Sequence, residues 1–248
     1  MKLKLEEMSW LEVQEAIEQG YDTVLILLGS IEQHGPHLPI NTDELISEEL
    51  GVRTAEKLDK ALVAPIIRPG CSKHHMEFFG TVSISYKTLK NLVEDYCLAY
   101  EKHGFKNIIL IPYHGGNYDP IKEFEPELRY KLKKSNLVII ADIEKSMELM
   151  NKGMKDAGID FEEPIIHSGA SETSILLAIR EELVRKDRFE KGYTEDIPIS
   201  NLFAKGLKFF TENGVLGDPN LASEKAGEII LESISDWYVD EIRAKLSR

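Results

Sequence analysis

Cysteine is scarce in this chain, with two among 248 residues. Cys71 and Cys97 are too few for a disulfide framework, so a reducing, cytoplasmic setting is expected. Positive charge is also in deficit: 30 Lys and Arg stand against 43 Asp and Glu, a formal net charge of −13. That balance leaves no broad cationic face for sequence-independent binding to nucleic acid or to an anionic membrane, so neither is expected as a partner. No apolar run approaches the roughly 18 residues of a membrane span. The opening stretch MKLKLEEMSWLEV lacks the apolar core of a signal peptide, so neither a signal nor an anchor is expected. Tryptophan is limited to Trp10 and Trp237, neither of which falls in a polar motif. What remains, 42% hydrophobic and 29% charged residues, is ordinary for a globular chain.

Strand and helix patterns alternate along most of the length. Thr23 to Leu28 (TVLILL), Ala61 to Ile67, Asn107 to Pro112 (NIILIP) and Leu137 to Asp142 are apolar runs, the signature of strands covered on both faces. Thr81 to Ser85 is a shorter strand candidate. Ser9 with Glu12 forms a capping box for a helix through about Gln19. Further helices are predicted from Thr42 or Asp43 to Leu58, over Leu89 to the stop at Gly104, from Asp119-Pro120 to Lys134, over Lys145–Lys152, over Ser171–Ile179 and over Ala222–Leu246. Residues 184–217 show no periodicity and receive no assignment. No linker interrupts the pattern. Residues 1–248 therefore read as one α/β layered domain, with a mainly parallel β-sheet flanked by helices.

Directly after TVLILL comes GSIEQHGPHLPINTDE, Gly29 to Glu44. In an extended segment side chains two apart face the same side, so Glu32 and His34 converge while Gln33 turns away. Asp43 swings back at a helix start. His114 follows NIILIP, and Gly115 and Gly116 behind it let the backbone pass close to a ligand. Both motifs lie at strand carboxyl ends, where parallel sheets place their sites. A lone Glu-x-His is more often a surface or capping pair. The conjunction at two strand ends favours a site. Carboxylates mixed with imidazoles suit zinc, manganese or ferrous iron, and one carboxylate shared between two ions gives the spacing of a two-metal hydrolase. A third cluster, HSGASETS from His167 to Ser174, adds Glu172 near a helix start and His167 in the preceding loop, completing a set of ligands and a proton carrier. His103 at a helix end and Cys97 among apolar positions are read as structural, and Cys71 is a weak ligand candidate. Of the adjacent His74 and His75, at most one is expected to reach the site.

GSIEQHGPHLPINTD, HHMEFFGT, HGGN, HSGASETS and GVLGDPNLAS occur in that order, and together they resemble the creatininase (creatinine amidohydrolase) family over nearly the whole chain. The resemblance implies an α/β fold, two divalent metal ions (zinc, manganese or iron(II)), hydrolysis of an amide C–N bond and a homo-oligomer, for which the long C-terminal helix offers apolar positions. Glu32, Asp43 and His114 match ligands of one metal, and His34 and Asp43 match ligands of the other, with Asp43 bridging. The family's HYEN glutamate is replaced here by Gly116, and Glu172 is the candidate substitute ligand. His167 matches the family's proton-transfer histidine, so His167 and Glu172 are the catalytic candidates. Ser72, His75, Gly115, Gly116 and Asn117 are the expected substrate contacts.

The expected function is metal-dependent hydrolysis of a small-molecule amide. The tryptophans that enclose creatinine have no counterpart here. One branch of the resemblance is a deformylase acting on a formylaminopyrimidine ribosyl phosphate, for which Arg68, Ser72, Lys73 and His75 offer cationic and hydrogen-bonding groups. Creatinine hydrolysis proper and a creatininase-like peptidase are the alternatives, and a non-catalytic metal- or ligand-binding subunit is the competing class.

Overall fold

Side chains alternate across a strand, so a run such as TVLILL needs cover on both sides. In the computed structural model, which describes residues 2–247, Val24, Ile26 and Leu28 face one apolar layer and Leu25 and Leu27 face another. The strands are β1 (Thr23–Leu28), β2 (Ala61–Val63), β3 (Asn107–Pro112) and β4 (Asn136–Ile139). They form one parallel sheet in the order β2-β1-β3-β4. One layer is built by α1 (Trp10–Glu18), α3 (Tyr86–His103) and α4 (Tyr118–Lys131). The opposite layer holds α2 (Thr42–Leu58), α5 (Ile143–Asp156), α6 (Ala170–Arg180) and α8 (Glu224–Leu246), with the short α7 (Ile199–Lys205) outside it. The fold is thus the α/β class that the alternation implies.

The expected Ala61–Ile67 strand is shorter than its apolar run because Pro65 has no N–H to give the ladder. Pairing resumes beyond it, where Ile67 bridges to Leu28. Thr81–Ser85 makes isolated bridges, Val82 with Ile31 and Ser83 with Gly70, and no strand. Residues 184–217 contain α7 and two single 3-10 turns, Lys186–Arg188 and Leu207–Phe209. The capping box at Ser9 is present, with Glu12 N–H donating to Ser9 Oγ and Ser9 N–H to Glu12 Oε2.

The chain leaves β1 toward α2 on one face and leaves β3 toward α4 on the other. Adjacent strands whose connections diverge open a crevice at their carboxyl ends. Both GSIEQHG and HGGN empty into it.

The apolar stripe of α8 is consumed inside the molecule. Ile230, Ile234, Tyr238 and Ile242 are buried against the chain's own core, so that face does not serve the subunit contact suggested for it above. α8 packs on α2, α5 and α6, and the approach to α6 is close: a Cβ at Gly227 would stand 2.0 Å from the Ser174 carbonyl oxygen. Gly227→Ala is expected to push α8 off α6 and to lower stability by roughly 1–3 kcal/mol, the usual cost of overpacking. Urea unfolding checks this, and an unchanged midpoint would contradict the packing.

Candidate metal centre

Six polar side chains meet at the crevice although they come from four separate segments. Glu32 and His34 leave the loop after β1. Asp43 is the second residue of α2, where the helix N-terminus favours a negative charge. His114 follows β3 directly. Glu172 stands in the first turn of α6, and His167 in the loop before it. All six are buried.

The start of α6 is held by a carboxylate from outside the helix. Glu163 accepts from the backbone N–H groups of Ala170 and Ser171, at 2.6 and 3.0 Å. Ser168 turns in the left-handed region, with φ +57°, and its N–H donates to Glu172 Oε2 at 2.7 Å. Glu172 is thereby aimed at His34.

Around Asp43 two sets of donor atoms form. On one side His114 Nδ1 lies 3.1 Å from Glu32 Oε2 and 3.3 Å from Asp43 Oδ2. On the other, His34 Nε2 lies 3.3 Å from Asp43 Oδ1 and 3.7 Å from Glu172 Oε2. Bonds of roughly 2.0–2.2 Å meeting at a tetrahedral angle hold donor atoms roughly 3.3–3.6 Å apart. One distance in each set falls in that range, and the others, 3.1 and 3.7 Å, lie just outside it. Glu32 Oε2 and Asp43 Oδ2 are also buried without a hydrogen bond of acceptable geometry, the condition of oxygens reserved for a cation. The donor set, carboxylate and imidazole, suits a divalent transition ion.

The rings are already turned for this. His34 Nδ1 lies 3.1 Å from the Glu32 carbonyl oxygen, which can only accept, so Nδ1 carries the hydrogen and Nε2 is left for the ion. His114 Nε2 reaches Ser72 Oγ at 3.2 Å, leaving Nδ1 inward, and Ser72 is in turn bonded to Ser30.

The electrostatics agree. Burial opposes a charge on His34 and on His114, yet the neighbouring carboxylates outweigh it and push both rings up to about 10. Burial also opposes the Asp43 charge, but the two rings hold it well below the usual carboxylate range. Glu172 is pushed up to about 7, chiefly by burial. Positive charge is in demand here, and a metal ion would supply it in place of the ring protons.

His75 Nε2 lies 3.4 Å and His167 Nδ1 3.8 Å from Glu32 Oε1. Burial holds both rings well below their usual pKa, so they stay neutral. Both His74 and His75 border the cavity over the cluster, as does Gly115. Substrate contact, expected for Ser72, Gly116 and Asn117, does not fit where they lie. None borders the cavity: Ser72 backs His114, Gly116 packs on the Cys71 carbonyl, and Asn117 ties Cys71 N–H to the Gly29 carbonyl. Gln33, read as turning away, lies buried behind His75 and His167 and bonds to both. Sequence gave no signal for Gln33 or for Glu163 beyond their nearness to the motifs.

Asp43 offers one oxygen to each set, whereas Glu32 and Glu172 serve one each. Asp43→Asn is therefore expected to lose both ions, and Glu32→Gln or Glu172→Gln to lose one. Elemental analysis of the purified variants decides it. Full metal content in Asp43→Asn would refute the shared arrangement.

The comparisons with known proteins identify the family. The family model described as creatinine amidohydrolase matches residues 6–242. The mycofactocin precursor peptide peptidase of Mycolicibacterium smegmatis is 31% identical over 229 residues, covering 89% of this chain and 84% of its own. The creatinine amidohydrolase of Pseudomonas putida is 27% identical, covering 96% of this chain and 95% of its own. Among solved structures, a creatininase with manganese superposes with a TM-score of 0.80 at 27% identity over 98% of both chains. A creatininase variant of Zn–Zn type does so at 0.78 and 28%, again over 98% of both. With its parallel sheet and a family match over residues 6–242, this chain belongs to the creatininase family of amidohydrolases.

Proposed function

We propose that the chain hydrolyses an amide bond flanked by apolar groups, as in a short peptide. The observation that carries this is the wall of the cavity, about 190 Å³ in volume, that opens onto the cluster. Ile143, Met147, Ile165, Leu202, Phe203 and Leu207 line it, and among the described residues no Lys or Arg does. Such a surface gains free energy by covering apolar side chains. The likeness to the mycofactocin precursor peptide peptidases supports the same reading.

A phosphorylated substrate finds no partner there. The Arg68 guanidinium is paired with Glu44 at 2.7 Å, and Lys73 is exposed outside the cavity. Creatinine finds no indole cage. Trp10 is 73% exposed on α1, and Trp237 lies on α8, away from the cavity.

When bound, divalent ions in this centre supply an activated water and polarise the amide carbonyl. The remaining tasks fall to the chain. Apolar walls seat the substrate and exclude bulk water. Glu32, His34, Asp43, His114 and Glu172 hold the ions. Hydrolysis joins a water oxygen to the carbonyl carbon, breaks the C–N bond and leaves one water proton on the departing nitrogen. His167, on the cavity wall with Nδ1 toward the cluster, is the group placed to make that transfer, giving its own Nδ1 proton to the nitrogen while the water's proton takes its place.

The test is a direct comparison of the zinc- or manganese-loaded protein on short peptides with apolar residues, on creatinine and on a formamide bearing a ribosyl phosphate. Turnover of the apolar peptides is expected to exceed both others. Phe203→Ala, which strips one wall, is expected to raise KM for those peptides roughly tenfold, in line with the ~1.5–3 kcal/mol gained by burying a large apolar side chain. Faster turnover of creatinine or of the phosphorylated formamide would overturn the reading.

A further inference from the structure

Behind the two histidines that face Glu32 lies a single amide. Gln33 Nε2 is 2.8 Å from His167 Nε2 and 3.1 Å from His75 Nδ1. An amide can present either its oxygen or its nitrogen, and the backbone here decides which. The N–H of Gly35 donates to Gln33 Oε1 at 2.9 Å, and Gln33 Nε2 donates to the carbonyl oxygen of Gly214 at 3.1 Å. Reversing the amide would set oxygen against oxygen at Gly214 and N–H against N–H at Gly35. Both contacts would then cost the price of buried, unpaired polar groups.

The nitrogen side of an amide only donates. Its two hydrogens are divided among the Gly214 carbonyl and the two rings, so each ring nitrogen facing it must offer a lone pair, and in a neutral imidazole the hydrogen then sits on the other nitrogen. For His75 that is Nε2 and for His167 it is Nδ1, the atoms that face Glu32 Oε1 at 3.4 and 3.8 Å. We propose that Gln33 is a positioning residue, which fixes both rings with their N–H toward Glu32 Oε1 and so leaves Glu32 Oε2 to the cation.

The proposal separates three sets of donor atoms that distance alone allows: Glu32 with Asp43 and His114, His34 with Asp43 and Glu172, and Glu32 with His34 and His167. A ring that carries hydrogen at Nδ1 cannot ligate through it. His167 is thus excluded as a ligand, and the two sets that share Asp43 remain. Gly214 is part of the device. It adopts φ +79°, and a Cβ there would stand 2.0 Å from Gln33 Oε1. The irregular segment before α8 thereby presses the amide into place.

The proposal depends on the metal centre and not on the identity of the substrate, so it is tested without turnover. The full chain is labelled with 15N-histidine, and long-range 1H–15N correlations are recorded without metal and with zinc alone, the rings assigned through single-histidine variants. Hydrogen on His75 Nε2 and on His167 Nδ1 is expected in both spectra. Hydrogen on the opposite nitrogens, or zinc on His167 Nδ1, would overturn the proposal, and this arm needs no variant to fold. In Gln33→Met and in Gly214→Ala the fixed tautomers are expected to be lost. Zinc affinity, measured by competition with a chromogenic chelator, is expected to fall roughly 10- to 100-fold, the usual effect of removing an outer-shell partner. Weaker zinc binding with both tautomers unchanged would reduce Gln33 to packing and would also refute it, as would unchanged affinity.

Discussion

Three carboxylates, Glu32, Asp43 and Glu172, share one buried pocket, and among the described residues no lysine or arginine pairs with them. Such charges are costly in a medium of low dielectric unless something positive joins them. Every element around the pocket bears on that imbalance. The rings of His34 and His114 are drawn toward the charged form, α2 sets the positive end of its dipole behind Asp43, and Glu163 secures the helix that delivers Glu172. A divalent ion resolves the imbalance more fully than ring protons do, because it also satisfies the carboxylate oxygens that lack a hydrogen bond.

The same economy of charge explains the cavity above. Lysines and arginines that are available for pairing are spent at the surface, as in Lys131 with Glu94, Lys57 with Asp236 and Arg68 with Glu44. Such exposed pairs contribute little to stability. An acidic protein thus has an anionic pit under an apolar rim, a combination that fits a neutral, greasy amide.

Much of this was legible in the sequence, for stated reasons. TVLILL and NIILIP announce buried parallel strands, and the density of Glu, His and Asp just beyond them has no use in a core. Asp43 and Glu172 could be placed because helix starts are marked by local patterns. The unreadable parts depend on distant partners. Gln33 departs from the strand alternation because Gly214, 181 positions later, fixes its amide. Ser72 and Asn117 sit in motifs rich in polar residues, and sequence could not tell the wall of the cavity from the layer behind it. Pro65 cut a strand that apolar composition alone would have extended. Residues 184–217 show no period because their one helix, α7, spans only Ile199–Lys205 and the rest is loop and 3-10 turn.

Gly227 and its contact with the Ser174 carbonyl carry one consequence for the biogenesis of the protein. Glu172 rides on α6, and α6 is seated by α8, an element made after every ligand has been synthesised. The donor atoms also span a long stretch of chain, so no early fragment contains the pocket, and closing it waits on slow, long-range contacts. A pocket able to hold both ions therefore forms only after α8 has been made and docked, unlike in zinc fingers, where the ion organises the chain.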